Sequence, residues 1–423
     1  MPNFLNTFAQ RTVAALAAAA VMGSLAVAQE PTAEGAPLDP VVAQGKYLAT
    51  AGNCISCHTR EGGEAFAGGV AFVTDFGTIY STNITPDPTA GIGGWTEEQF
   101  IRAMREGIAA DGTHLYPAFP YTSFAKVADA DLKAIYAYFK TLKPSSAKPP
   151  ENEMGFPFNQ RGLMAVWNAM FFDGTPFTAA AGQSAELNRG AYLVQGLGHC
   201  GACHTPRNAL GAEDNARALS GGTYLDKVTG GAVRPWSAVN LTQADDGLKA
   251  WSAEDVFNYL KTGHSNRAGT FGAMNEVITN SLSQLTDADV RAMAAYIKSL
   301  PPIERAKPSG LSAADLREGD TQYTIHCGTC HLPTGLGSTP GSELGPPLVG
   351  SAVVQAEDPS SLINVILYGG DVPQPPPPKG WHNMKAFGNL LDDEQAASIA
   401  TYVRASWGNR GGRVTAADVA KQR

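Results

Sequence analysis

The sequence predicts an all-α protein of three tandem helical repeats, and three observations in its 423 residues carry that prediction. The pattern Cys-x-x-Cys-His occurs as Cys54-Ile-Ser-Cys57-His58, Cys200-Gly-Ala-Cys203-His204 and Cys327-Gly-Thr-Cys330-His331, and these copies use all six cysteines. A shared approach precedes each copy: Gly45-Lys46-Tyr47-Leu48, Gly190-Ala191-Tyr192-Leu193 and Gly319-Asp320-Thr321-Gln322-Tyr323. An amphipathic segment with an aromatic closes each repeat, Asp129 to Leu142, Thr286 to Leu300 and Leu391 to Trp407. Asp129, Thr286 and Asp392 are the expected N-caps, and Pro144 and Pro301 stop the first two segments.

Cys-x-x-Cys-His is the attachment signature of c-type haem. On the first turn of a helix, residues three apart share a face, so both thiols reach vinyl groups of one macrocycle. The histidine directly after the second cysteine is aimed at the iron as proximal ligand. A redox dithiol gives no reason for that histidine, and a zinc site would pair its motifs at short range, not over a hundred residues apart. The expectation is three covalent haem c groups, held by Cys54, Cys57, Cys200, Cys203, Cys327 and Cys330, with iron bound by His58, His204 and His331.

Arg11 precedes an apolar stretch from Val13 to Val27, and Ala26-Val27-Ala28 offers a small-x-small cleavage site. Residues 1–28 therefore read as a cleaved signal peptide, too short and alanine-rich for a comfortable membrane span. Export to the periplasm follows, where haem is attached. A net charge of −8 without basic clusters argues against nucleic acid as a partner. No Gly-rich nucleotide fingerprint appears, so flavin or nicotinamide binding in this chain is not expected.

The layout of helix, haem motif, long loop and closing helix matches the class I cytochrome c domain. Three tandem domains joined by Pro-rich linkers are expected at 38–146, 182–302 and 311–408. The 147–181 segment between the first two holds Arg161, Met164, Trp167, Asn168, Phe171 and Phe172, too aromatic for a free linker, and reads as a short helix packed across an interface. Residues 409–423 form a C-terminal tail, read as a polar, disordered segment or as a basic contact with lipid headgroups. Pro373 to Pro378 reads as a stiff loop or spacer.

The sixth iron ligand sets reactivity and potential. In the third repeat Met384 stands in the loop before the closing segment, with His382 and His326 as competitors. In the second, Met274 occupies the equivalent loop, with His264 and His199 as alternatives. In the first, the loop reads Leu115-Tyr116-Pro117-Ala118-Phe119-Pro120-Tyr121. Met104, on the preceding helix, is the candidate there, beside His114 and a five-coordinate iron.

These haem motifs, the Tyr116-to-Tyr121 segment and the Arg161, Trp167-Asn168, Phe171-Phe172 linker together resemble the cytochrome c subunits of membrane-bound periplasmic dehydrogenases of the alcohol, gluconate, fructose, sorbitol and aldehyde type. That family usually has methionine at the position of Phe119, although related subunits of molybdenum-dependent dehydrogenases carry phenylalanine there. The resemblance implies an electron-transfer subunit, not catalytic alone. Its partners would be a catalytic dehydrogenase chain that holds flavin, pyrroloquinoline quinone or molybdenum cofactor, ubiquinone, and the cytoplasmic membrane surface, where it would sit peripherally. The competing readings are a peroxidase-like haem enzyme with one open iron site and a free periplasmic shuttle to a terminal oxidase.

Overall fold

A glycine allows two helices to approach until backbone meets backbone, and this chain uses that device three times. The computed structural model describes residues 38–228, 231–305, 310–337, 345–370 and 383–423. Asp39–Arg423 forms one compact body. In the first repeat, α1 (Pro40–Ala51) crosses α5 (Asp129–Phe139), and a Cβ on Gly45 would stand 1.8 Å from the Ala134 carbonyl oxygen. In the second, α7 (Ala185–Gln195) crosses α11 (Asp287–Ser299) with Gly190 against Ala292 at 1.9 Å. In the third, α12 (Ala313–His326) crosses α16 (Asp393–Ala405) with Gly319 against Ser398 at 2.2 Å. No residue with a side chain fits at these three positions without moving a helix.

Between the crossing helices lie the motif helices α2 (Cys54–His58), α8 (Gly201–His204) and α13 (Gly328–His331). The first repeat adds α3 (Glu97–Glu106) and the short α4 (Tyr121–Phe124); the second adds α9 (Ala253–Thr262) and α10 (Ala273–Asn280); the third adds α14 (Ala352–Gln355) and α15 (Ser360–Tyr368). Capping boxes start α3 at Thr96, α9 at Ser252, α12 at Ser312 and α16 at Asp392. Thr286 caps α11 as expected. Asp129 does not cap α5: the N-cap is Ala128, and the Asp129 carboxylate pairs with Arg105 at 2.8 Å.

The fold is mostly helical, yet five short strands depart from the all-α expectation. β1 (Ala71–Thr74), β2 (Gly77–Tyr80) and β3 (Glu153–Met154) form one antiparallel sheet, in which Ala71 faces Tyr80 and Gly77 faces Met154. β4 (Gly222–Lys227) and β5 (Val233–Ala238) form a second, with Gly222 opposite Ala238. Each is a hairpin between a motif and the next helix, and each delivers the backbone that braces the motif histidine.

The first two repeats share one apolar core, running from Leu48 through Tyr192 and Leu193 to Ile297. A reciprocal polar clasp joins them. Tyr47 donates its hydroxyl to Asp289 at 2.6 Å, and Tyr192 donates to Asp131 at 2.5 Å; each carboxylate sits in the first turn of the opposite repeat's closing helix. The backbone N–H groups of Thr286 and Ala128 return bonds to the same two hydroxyls. α6 (Leu163–Phe171), within 147–181, buries Met164 and Trp167 against Tyr116 and Tyr121 of the first repeat and Ala212 of the second.

The third repeat has a separate core built on Tyr323, Ile363, Ile399 and Val403. It meets the second largely through polar groups. Asn364 Nδ2 donates to the Pro235 carbonyl at 2.9 Å, Ser361 Oγ donates to the Ser237 carbonyl at 2.8 Å, and Arg410 pairs with Asp245 and Glu304. The tail is folded, not a free polar segment. α17 (Ala416–Ala420) buries Val419, Arg413 pairs with Asp315, and Arg423 donates to the carbonyls of Gly388 and Leu391. Apolar side chains and internal carboxylates thus take up the groups assigned to solvent or lipid. The 1–28 segment, Pro373 to Pro378 and His382 lie outside the described residues.

Arg189 grips Asp289 with Nε and Nη2, each at 2.8 Å, and holds its carboxyl below the usual range, with the Tyr47 hydroxyl assisting. A carboxylate whose pKa falls on folding contributes stability that is present above about pH 4 and lost as pH drops through the folded value. Arg189→Gln is therefore expected to cost about 1–3 kcal/mol at pH 7. Urea unfolding followed by circular dichroism should show that deficit shrinking below pH 4.

Candidate haem sites

Each motif places two thiols in one helical turn and then fixes the next histidine through a single backbone carbonyl. His58 Nδ1 meets the Thr82 oxygen at 2.6 Å, His204 Nδ1 meets Val239 at 2.8 Å, and His331 Nδ1 meets Pro346 at 2.9 Å. A carbonyl only accepts, so Nδ1 carries the proton and the Nε2 lone pair is left for a metal. Burial lowers the pKa of all three imidazoles, against the opposing pull of those carbonyls, which favours the neutral, ligating form.

None of the six cysteines is in a disulfide. Burial pushes the thiols of Cys54, Cys57 and Cys200 up to about 12, and those of Cys203 and Cys327 up to about 11. Cys203 nevertheless keeps accessible surface, the situation of a side chain lining a crevice. Among the described residues no group of three or more His, Cys, Asp or Glu is arranged around a metal position. Paired reduced thiols beside an imidazole with Nε2 unengaged fit a haem held by two thioethers and one histidine.

The acceptor carbonyls were not singled out in the sequence, and the signal that marks two of them is an Asn-x-Thr directly after. Asn83 donates to the carbonyls of Ser145 and Ala147 at 2.8 and 2.9 Å and accepts from the Thr85 hydroxyl and N–H. Asn240 repeats this with Ile303 at 2.8 Å and with Thr242. Each asparagine thereby ties the strand end that holds the histidine to the chain just beyond the closing helix.

On the opposite side, the two paired repeats run in register. Gly107 and Gly263 end α3 and α9 in left-handed conformation, at φ 65° and 76°. Leu115 N–H then bonds the Gly107 carbonyl at 2.7 Å, and Thr270 N–H bonds Gly263 at 2.8 Å. Four residues further on stand Phe119 and Met274, so Phe119 occupies the position of Met274. Met104, buried on α3, lies eight residues after its N-cap, in register with the buried Leu260 of α9. Met274 is half-buried near the start of α10, and half-buried Met384 packs against the third core.

The histidine competitors are held otherwise. His264 is buried with Nδ1 on the Thr262 carbonyl, and His199 stacks on Phe124 at 5.6 Å. His114 Nδ1 is buried without a partner, and His326 packs edge-on to Phe387.

The first two motifs are neighbours. Asn280 donates to Ser56 Oγ at 2.8 Å across the repeats, and the charge of Cys203 adds to the rise in the Cys57 pKa.

Residues 42–143 and 187–301 match the family model for cytochrome c, and residues 314–403 match that for cytochrome c oxidase, cbb3-type, subunit III. The chain is 39% identical over 433 residues to the alcohol dehydrogenase (quinone) cytochrome c subunit of Komagataeibacter europaeus, covering 96% of this chain and 88% of the relative. It is 39% identical over 425 residues to the gluconate 2-dehydrogenase cytochrome c subunit of Pantoea cypripedii, covering 96% and 94%. A nicotinate dehydrogenase subunit of Pseudomonas putida is 42% identical over 401 residues, which are 91% of this chain but 32% of that longer relative. The chain belongs to the cytochrome c family, among the cytochrome c subunits of quinone-linked dehydrogenases.

Asn83→Ala strands the Ser145 and Ala147 carbonyls and frees the strand end behind His58. A loss of about 2–3 kcal/mol is expected, measured by denaturant unfolding, with haem content per chain as a check on assembly.

Proposed function

We propose that this chain carries three covalent haem c groups and serves as the electron-transfer subunit of a periplasmic dehydrogenase complex. It accepts electrons from a catalytic partner chain and delivers them to ubiquinone at the cytoplasmic membrane. The observation that carries this reading is the repeated combination of a reduced Cys pair with a histidine locked through Nδ1 on a carbonyl. Haem iron exchanges one electron at a time, and histidine–methionine ligation favours a relatively high potential.

The chain's own residues divide the work. Cys54 with Cys57, Cys200 with Cys203, and Cys327 with Cys330 anchor the groups, while His58, His204 and His331 present Nε2. Met274 and Met384 supply the second axial ligand in their repeats, and Met104 supplies it from α3 in the first, where Phe119 has taken the loop position. The shared core keeps the first two motifs at a fixed separation. No described helix is long and apolar enough to cross a membrane, which accords with peripheral attachment. α6, uncharged throughout, leaves Leu163, Val166 and Met170 exposed, as a protein that works inside a complex would.

Isolation from native membranes in mild detergent tests the function. The expected result is a co-purifying dehydrogenase whose substrate drives ubiquinone reduction through this chain. Recovery of this chain alone, unable to reduce any quinone, would contradict it. Phe119 also motivates one alternative, an open iron in the first repeat that binds peroxide. Met274→Leu should lower one midpoint potential and create one CO-binding haem. Met104→Leu should do the same at a different haem; unchanged spectra, with CO binding already present in the parent, would favour the open-site reading.

A further inference from the structure

We propose that Trp236 is a cofactor-binding residue of the second repeat, donating its indole N–H to a propionate carboxylate of the haem on Cys200 and Cys203; this rests on the reading of three haem sites given above. An indole Nε1–H is a donor only, and a buried donor without an acceptor is rare in folded proteins. Trp236 is 4% exposed and its Nε1 has no partner in the protein. Trp167, also buried, donates to the Leu210 carbonyl at 3.0 Å.

The surroundings of Trp236 identify the missing acceptor. Trp236 is on β5, three residues before Val239, whose carbonyl holds His204. Its ring lies near-parallel to Phe271, with centroids 5.9 Å apart and planes at 27°. A Cβ on Gly272 would stand 3.1 Å from the indole, so the loop that carries Met274 closes directly onto it. Trp236 therefore links the strand on the histidine side with the loop on the methionine side. An anionic oxygen at the margin of a group gripped between those two elements is the acceptor this position calls for, and haem carries two carboxylates. In the first repeat, β2 ends in Tyr80, whose hydroxyl already donates to Glu153 at 3.3 Å. The effect of Trp236 is therefore specific to one haem.

Trp236→Phe keeps the stacked ring and removes only the donor. A propionate deprived of that bond presents more negative charge to the iron and favours the oxidised form. In an optical redox titration at pH 8, one midpoint of three is expected to fall, a tenfold change in the oxidised-to-reduced ratio being about 59 mV for one electron. Trp236→His, which restores an N–H, should recover part of the shift. In the unmodified protein, the assigned Trp236 indole N–H resonance should move when that haem is reduced. Three midpoints unmoved in Trp236→Phe, or an indole resonance indifferent to reduction, would overturn the inference and assign the N–H to a buried water. A Cys200–Cys203 peptide found without attached haem would instead overturn the underlying reading of the sites.

Discussion

The close crossing of each repeat's first and last helices is the constraint on which the rest depends. Gly45, Gly190 and Gly319 let backbone carbonyls come within the space a side chain would fill. That contact ties the chain before each Cys pair to the segment that closes the repeat. The intervening loops must then wrap around the motif, one side bracing the histidine and the other carrying the methionine candidate. The polar groups of those loops are satisfied locally, by the Asn-x-Thr braces after Thr82 and Val239 and by the paired turns that follow Gly107 and Gly263. The motif residues are thus fixed by packing and hydrogen bonds that involve no cysteine, which suits a protein whose cofactor is added after translation.

The three repeats are not equivalent as partners. Tyr47 and Tyr192 reach across to Asp289 and Asp131, and their repeats share one apolar core. Tyr323, in the matching position, donates instead to the Leu332 carbonyl of its own motif segment, and Gln395 stands where the closing helix would need the acceptor. The third repeat accordingly keeps its own core and meets the second through ion pairs and side-chain amides. Such contacts are weaker and more salt-sensitive than a shared apolar core. A rigid pair and a more loosely docked third member follow from two residue choices.

Much of the site was legible because covalent attachment requires contiguous residues: two thiols a turn apart and an imidazole next to them leave little freedom. The closing helices were legible from their periodicity and their proline stops. The hairpins at 71–80 and 222–238 were not foreseen; they are short strands, and their turns give only weak local signals. Asp129 looks like a cap in sequence but is drawn off by Arg105, a contact set by tertiary packing. The clasp through Tyr47 and Tyr192 joins residues more than sixty apart, which no local pattern announces, although the repeated tyrosine was visible. The tail read as polar and free because its buried valines are only two, and its arginines find carboxylates and carbonyls far away in sequence. The register that puts Phe119 in the place of Met274 needed the structure, since the loops between are of different composition.

The central claim is that all three Cys-x-x-Cys-His segments carry haem in the mature protein. Denaturing intact-mass spectrometry of the protein from its native host, followed by peptide mapping, tests it most directly. The account predicts an added mass of three haems, with one found on each of the Cys54–His58, Cys200–His204 and Cys327–His331 peptides. Any of these peptides recovered from correctly exported protein with free thiols and no haem would contradict it.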